Sequence, residues 1–405
     1  MKKRNLEISF IVLSLIFLLM PRQTYGNEKL DSQVPVYERP AWKLKMQDFY
    51  TNLNNLLSDV CSNKRYFDEK NSTRIQSEIK AIADNAHNIE TQAKSSPNDP
   101  TTLLLSRLLT DDLDEASKAF QSGNRLYART ILESVPQRCL ACHTRSDYGP
   151  DFKSLAIQPN AELNDIESGE FYAATRQFDR SVDSFQKYLR ISDEKSFDPF
   201  LQEKAAREAL VIAVRFRKDP KLALSIVQTI SSNPNTPEFL KSDSRAWKKT
   251  IDAWSKEPSE KLATVDQLKN KAMRLIAKAR AMQSYAFDHS ADIYYLRASG
   301  YLYDAANKST NSKDTSEALM LLGMCYEVLN PHNMENLHNE YYEACIEASP
   351  HTPVARDCYK HYEQSIYFGF TGSSGTHIPD DVREKLLKLW SIALDLQPTQ
   401  DNKVY

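Results

Sequence analysis

Residues 138–144 read RCLACHT and contain the clearest chemical motif of the chain. Two residues separate Cys139 from Cys142, and His143 follows directly. Within a helix this spacing places the two thiols about one turn apart. They can then form thioethers with the two vinyl groups of one haem, while the next residue presents its imidazole to the iron. The motif therefore predicts one covalently attached haem c, with His143 as the proximal ligand.

Three other chemistries use a similar pair of cysteines. A redox dithiol normally lies where a strand meets a helix, and we expect no strand beside Cys139. A zinc site needs further ligands, and only the lone Cys61 or a distant histidine could supply one. A disulfide between Cys139 and Cys142 would close a very short loop inside a helix, which strains its geometry. We expect haem attachment, with a disulfide and a metal site as the alternatives.

The N-terminal residues predict export. Three basic residues at positions 2–4 precede an apolar run over residues 8–20, and a plausible cleavage point follows Gly26. This pattern is typical of a secretory signal peptide over residues 1–26, and the apolar run is short for a membrane span. We expect a periplasmic or otherwise exported protein, which suits haem c because bacteria attach it outside the cytoplasm. The membrane would be contacted only if the signal segment stays uncleaved.

The composition excludes some classes of function. With 54 acidic and 52 basic residues the chain is nearly neutral, and no basic stripe with interleaved aromatic residues predicts binding to nucleic acid. Only nine of the 405 residues are glycine, which favours helices throughout. The sequence has no nucleophile elbow, Walker loop, HExxH motif or paired-carboxylate signature. We therefore expect an electron carrier or a binding protein, with no catalytic residues, rather than an enzyme.

Apolar residues recur every three or four positions over residues 41–150, after an extended linker at 27–40. This periodicity is typical of amphipathic helices. The predicted helices start at Trp42 and then cover about residues 71–93, 102–120 and 124–143. Four helices joined by short breaks predict a four-helix bundle.

Beyond residue 160 the pattern changes to paired helices of about 34 residues, the length of a tetratricopeptide repeat. The positions that match the small, aromatic and apolar positions of the repeat are Gly169, Tyr172, Phe178, Phe185 and Leu189 in one hairpin and Leu322, Gly323, Tyr326, Tyr342 and Pro350 in another. We expect a tetratricopeptide-like α-solenoid over residues 151–400. The predicted fold class is all-α, with the helical repeat domain following the haem-carrying bundle.

The N-terminal arrangement resembles the class II cytochromes c, the cytochrome c-prime family of four-helix bundles. The resemblance rests on CxxCH near the end of the fourth helix and a methionine near the start of the first, and it covers about residues 41–150. It implies that Met46, in the segment WKLKMQDFYTNL, occupies the position of the distal iron ligand in low-spin members. Met46 is also in register with Trp42 and Phe49, so core packing is its alternative role.

The sequence departs from this family at two places. Ser146 and Asp147 stand where an aromatic residue followed by arginine is usual, and Trp42 stands where an arginine precedes the methionine. Other basic residues would then contact the haem propionates. The candidates are Lys43, Lys45, Arg138 and Arg145.

A second cysteine pair lies in the repeat region. Cys345 and Cys358 flank a predicted helix break at residues 349–353, so antiparallel helices would bring them together. Export makes a disulfide between them the expected state, and two buried thiols are the alternative. Cys61 and Cys325 have no evident partners and are expected to pack in the core.

These features predict electron transfer through the haem, with the repeat domain docking a protein partner such as a redox partner. One alternative is a haem-based gas or redox sensor, in which His143 alone binds the iron. Another is a scaffold protein of a cell-envelope complex that uses the repeat surface.

Overall fold

The computed structural model describes residues 40–95, 99–145, 163–191, 198–258, 260–286, 288–329 and 336–394. The predicted signal peptide, residues 27–39 of the predicted linker, and Ser146 and Asp147 lie outside these ranges. The described residues are mostly helical, which confirms the all-α class. Their only strands are β1 (Thr371–Gly372) and β2 (Gly375–Thr376), which pair antiparallel in a short hairpin. No helix in the described ranges has both the length and the apolar character required to cross a membrane.

The first part of the chain contains the four long helices expected from the periodicity, and one short helix. These are α1 (Pro40–Val60), α2 (Asn63–Tyr66), α3 (Ser72–Lys94), α4 (Pro100–Gln121) and α5 (Arg125–His143), with a 3₁₀ turn at Glu69–Asn71. Asp99 caps α4 by accepting a hydrogen bond from the Thr102 N–H, and Asn124 caps α5 in the same way. Helix α1 packs on α3, α3 on α4, and α4 on α5.

The remaining helices mostly pack on their neighbours in the chain. They are α6 (Asp165–Ala174), α7 (Phe178–Leu189), α8 (Pro199–Leu210), α9 (Pro220–Ser232), α10 (Glu238–Trp254), α11 (Val265–Met282), α12 (Asp292–Lys308), α13 (Ser312–Leu329), α14 (Leu337–Ala348), α15 (Pro353–Gly369) and α16 (Asp380–Leu394), with a 3₁₀ turn at His289–Ala291. Helix α8 continues directly into a π-helix, Val211–Phe216, which the sequence did not predict.

Two of the helix pairs share the same close contact between a glycine and an aromatic ring. A Cβ atom at Gly169 on α6 would lie 2.4 Å from Cε1 of Phe185 on α7, and one at Gly323 on α13 would lie 2.4 Å from Cε1 of Tyr342 on α14. Real Cβ atoms do not approach so closely in a well-packed interior. Glycine is therefore required at both positions for the two helices to approach each other.

The buried apolar side chains form two large clusters that meet at α4 and α5. Helices α1 and α3 contribute to the first cluster, and most helices from α6 onward to the second. Helix α5 contributes to both: Leu132 and Val135 belong to the first cluster, whereas Leu140 and Ala141 belong to the second. Phe171 of α6 reaches back into the first cluster. The C-terminal half of α5 therefore lies between two cores and presents a different face to each.

Candidate functional site

Four of the residues selected from the sequence border one cleft between α1 and α5. Met46 comes from α1, and Cys139, Cys142 and His143 come from the end of α5. The cleft contains about 610 Å³ of space not filled by atoms, counting its open mouth. The fold thus brings residues that are distant in the sequence to one cleft.

The two cysteines and the histidine lie on one side of α5. Their spacing of three and four residues places them along one helical face, and all three are half-buried. Both cysteines are free thiols, so the structure does not contain the alternative disulfide between them. Burial raises the pKa of the Cys139 thiol to about 12. Redox-active cysteines normally have a lowered pKa, so Cys139 lacks the main feature of a reactive dithiol.

His143 has the properties of a metal ligand. Its burial, and to a smaller extent the positive charge of Arg176, lower its pKa to about 3. The imidazole is therefore neutral at physiological pH, which is the form that binds metals. Its Nδ1 atom is buried and has no hydrogen-bond partner. A buried polar atom without a partner is costly.

Helix α1 supplies an apolar wall of the same cleft. Its side chains that border the cleft are Trp42, Met46, Phe49, Tyr50 and Leu53. Met46 is half-buried and also packs against the first core cluster. Its position is compatible with both roles considered from the sequence, a distal ligand and a core residue. Met46 and Tyr50 are the two side chains on this wall whose types occur as ligands of haem iron.

Helix α6 also contributes to the cleft, which the sequence did not predict. Ala174 and Thr175 border it, and the Arg176 guanidinium donates a hydrogen bond to the carbonyl oxygen of His143 over 3.1 Å. The sequence assigned this helix to the repeat region because its Gly169 and Tyr172 match repeat positions. Nothing in its periodicity marks a contact with α5, because such a contact depends on how the two regions pack.

The four basic residues considered for propionate contacts have different surroundings in the structure. Arg138 borders the cleft, and its Nε donates to Asp112 over 2.5 Å. Lys43 is exposed, and neither it nor Lys45 borders the cleft. Arg145 is buried in an ion pair with Asp99 at 3.0 Å. Arg145 does not border the cleft, and its charge is already neutralised within the fold.

The Arg145–Asp99 pair fixes the end of α5 against the start of α4. Arg145 also donates to the hydroxyls of Thr101 and Thr102 and to the Cys142 Sγ over 3.8 Å. Burial by itself raises the pKa of Asp99, but the charge and hydrogen bonds of Arg145 and the hydrogen bonds of Thr102 outweigh it and lower the pKa overall. Asp99 is therefore ionised at neutral pH, and the pair positions the residue that carries one of the two thiols.

The other cysteines lie away from the cleft. A disulfide joins Cys345 on α14 to Cys358 on α15, with the two Cα atoms 6.3 Å apart. Cys325 is buried in the second core cluster, and Cys61 is half-buried beside the first. Within the described ranges, no three or more His, Cys, Asp or Glu side chains are placed to hold a metal ion among themselves. The described residues therefore supply no further ligands for a zinc site at Cys139 and Cys142.

The residues at the cleft fit a covalently bound haem. Two thiols and an imidazole follow each other along one helical face of α5, and a thioether on α1 borders the same cleft. A porphyrin supplies four of the ligands of its iron, so the protein has to provide only the axial ones. The chain matches no protein-family model, no curated protein and no solved structure.

Proposed function

We propose that this protein is an exported monohaem c-type cytochrome that transfers electrons, and that its helical repeat region docks a protein partner. The observation that carries this proposal is the convergence of Met46, Cys139, Cys142 and His143 on one cleft. The two cysteines would hold the haem covalently, His143 would be the proximal ligand, and Met46 would be the distal ligand. A haem bound in this way supplies one-electron chemistry through its iron.

The other residues at the cleft support this role by shaping its surroundings. Trp42 and Phe49 are buried and, with Leu53, keep water away from the wall of α1. An apolar, water-poor site is one of the means by which a protein tunes the potential of a haem. Arg138 borders the same cleft, where its guanidinium would donate to a propionate while it stays paired with Asp112. Asp112 holds this side chain in place.

Two features support the finer description of the fold. Helices α1, α3, α4 and α5 pack in sequence order, and the CxxCH motif ends the last of them. This is compatible with a class II-like four-helix bundle over residues 41–150. The glycine–aromatic contacts in the α6–α7 and α13–α14 pairs lie at positions that match the tetratricopeptide repeat. They support a tetratricopeptide-like solenoid over residues 151–400, whose surface would bind the partner.

A haem-based sensor is the second candidate, and direct contacts between the end of α5 and later helices favour it. Thr144 follows His143, and its hydroxyl accepts a hydrogen bond from Arg215 on the π-helix. The Arg145 guanidinium lies over the Tyr303 ring of α12, 5.7 Å from its centre. A change of ligand at the iron could therefore be transmitted to the repeat region through two residues adjacent to His143.

Absorption spectra test this proposal. The protein would be produced in an exporting host with haem-attachment machinery, and its spectrum recorded before and after dithionite. We expect a low-spin spectrum with a methionine-to-iron charge-transfer band that Met46→Leu removes. Met273→Leu is the matched control, because Met273 is exposed on α11. A high-spin spectrum that shifts with CO or NO would favour the sensor, and the absence of haem would overturn both candidates.

A further inference from the structure

A second cavity lies on the opposite side of α5 from the cleft. It is bordered there by Gln137, Leu140 and Ala141. At about 100° per residue, this face points away from Cys139 and Cys142. The cavity contains about 670 Å³ of space not filled by atoms, counting its mouth. The apolar side chains around it are Leu140, Ala141, Leu210, Val211, Leu296 and Leu329.

Arg215 brings an unusual charge to this mainly apolar cavity. It lies on the π-helix that follows α8, and its side chain is only 4% exposed. Its Nη1 donates to the Tyr326 hydroxyl over 2.5 Å, its Nη2 donates to the Thr144 hydroxyl, and its Nε has no partner. All these partners are neutral, and no carboxylate in the described part of the chain pairs with it. Since guanidinium stays protonated in proteins, the fold retains a buried cation without an anion.

The remaining cations at the cavity are already neutralised. Lys204 pairs with Glu170 at 2.6 Å, and Arg207 pairs with Asp292 at 3.6 Å. Arg215 is therefore the cation at this cavity that no carboxylate of the described residues pairs with, and the Tyr303 ring, 5.6 Å from its guanidinium, is a neutral contact. A buried charge without a charged partner lowers the stability of the fold. A bound ligand of opposite charge would remove this free-energy cost.

Glu208 provides a second polar group at the cavity. Its Oε1 accepts a hydrogen bond from Gln137 over 3.3 Å, and its Oε2 is buried without a partner. Burial, and next the negative charge of Glu170, raise the pKa of Glu208 well above its usual value. A raised pKa favours the protonated carboxyl, which can donate a hydrogen bond to an acceptor oxygen.

We propose that this cavity binds a small apolar carboxylate, with the carboxylate group on Arg215 and the hydrocarbon part against Leu140, Leu210 and Leu296. One cation with a planar fork suits a carboxylate, whereas the apolar walls suit a hydrocarbon chain or ring. The buried, unpartnered Oε2 of Glu208 is an additional hydrogen-bonding group for the ligand, and it donates when the carboxyl is protonated. The site is separate from the haem cleft, and its argument does not depend on a haem.

Calorimetric titration of the full-length protein with octanoate and, in parallel, with benzoate tests this site. We expect at least one of the two to bind with one-to-one stoichiometry, and the uncharged analogues octan-1-ol and benzyl alcohol to bind at least tenfold more weakly. The tenfold difference reflects the loss of a charge-assisted hydrogen bond. No binding of either carboxylate, or equal binding of the alcohols, would overturn the proposal.

Three variants locate the binding. Arg215→Gln should weaken carboxylate binding at least tenfold, whereas Arg217→Gln, at a partly exposed position that pairs with Asp179, should leave it unchanged. Leu296→Phe narrows the cavity and retains Arg215, so it should also weaken carboxylate binding. This variant tests the site even if Arg215→Gln fails to fold. Unchanged affinity in folded Arg215→Gln or in Leu296→Phe protein would contradict the assignment.

Discussion

The two cysteine pairs of this protein lie in regions that use the thiol group differently. Cys345 and Cys358 face each other across the α14–α15 pair, and a disulfide joins them. Cys139 and Cys142 lie on a single helix, remain free, and border a cleft. A pair on two antiparallel helices is placed to bridge them, whereas a pair one helical turn apart is placed to hold a third group. The comparison shows that the chemistry of a cysteine pair follows from the elements that carry it.

The same two regions are fixed by different means. The disulfide constrains the α14–α15 pair covalently. The end of α5 is held instead by the buried Arg145–Asp99 pair, and Arg145 also contacts the Cys142 sulfur. Because an ion pair rather than a disulfide holds the end of α5, both of its thiols remain available for attachment of a cofactor.

Removal of the two cysteine pairs, one at a time, should give the largest difference between the regions, measured as haem content. We expect the double substitution Cys139→Ala and Cys142→Ala to abolish covalent haem entirely, because no thiol remains at the cleft to form a thioether. The double substitution Cys345→Ser and Cys358→Ser should retain full haem content. A denaturing gel stained for covalent haem measures both. Haem loss in the second variant, with the protein folded, would show that the two regions do not have separate roles.

Disruption of the ion pair at the end of α5 should have the next largest effect. Asp99→Asn leaves the buried Arg145 charge without its partner, and we expect the free energy of unfolding to fall by about 3–5 kcal/mol. Asp84→Asn is the control, because the Lys80–Asp84 pair is largely exposed and should contribute less than about 1 kcal/mol. Chemical denaturation at pH 7 measures both. Equal effects in the two variants would contradict the role of the buried pair.

The pH dependence of this pair has a definite sign. Because folding lowers the pKa of Asp99, its contribution to stability is fully present above the usual carboxyl pKa of about 3.9 and is lost as the pH falls through the lowered value. The difference between the parent protein and Asp99→Asn should therefore stay constant from pH 5 to pH 8. It should shrink below about pH 4. Denaturation midpoints of the two proteins over this range measure the difference. A difference that grows below about pH 4 would contradict the lowered pKa of Asp99.

Loss of the disulfide should reduce stability somewhat less than loss of the ion pair. The bridge joins residues 13 positions apart, and closing a loop of about this length stabilises a protein by about 3 kcal/mol. We expect Cys345→Ser with Cys358→Ser to lower the free energy of unfolding by that amount. Thermal melts of the haem-containing protein, monitored by far-UV circular dichroism, measure it. An unchanged melting temperature would mean that the bridge contributes nothing to the repeat region.

Substitution of the two contact glycines should have the smallest effects on the free energy of unfolding. Gly169→Ala and Gly323→Ala place a methyl group against Phe185 and Tyr342, and overpacking of this kind typically costs about 1–3 kcal/mol. Gly372→Ala is the control, because a Cβ there meets nothing within 4 Å. Urea denaturation compares the three variants. Effects no larger than that of Gly372→Ala would show that the helix pairs tolerate a wider separation.

Several features could be predicted from local patterns. The long helices follow from apolar spacing, because an amphipathic helix repeats every 3.6 residues wherever it packs. The contact between Cys345 and Cys358 follows from a break between two antiparallel helices. The closeness of Gly169 to Phe185 follows from the match to a repeat. In each case the signal lies within a few dozen residues of sequence.

Other features could not be predicted because they depend on packing between distant segments. Arg145 was a candidate for contact with a haem propionate, but the fold turns it toward Asp99. Helix α6 contributes to the cleft through Ala174 and Thr175, which no motif marks. The cavity around Arg215 forms where four separate segments meet. The π-helix that carries Arg215 has no recognised signature in the sequence.

The most direct test of the central claim is a mass measurement on the peptide that contains the motif. Trypsin should release residues 139–145, CLACHTR, from protein made with haem-attachment machinery and then treated with iodoacetamide. We predict that this peptide carries the mass of one haem and no alkyl group, because both thiols form thioethers. A haem-free peptide, with both cysteines alkylated or joined in a disulfide, would contradict the proposal.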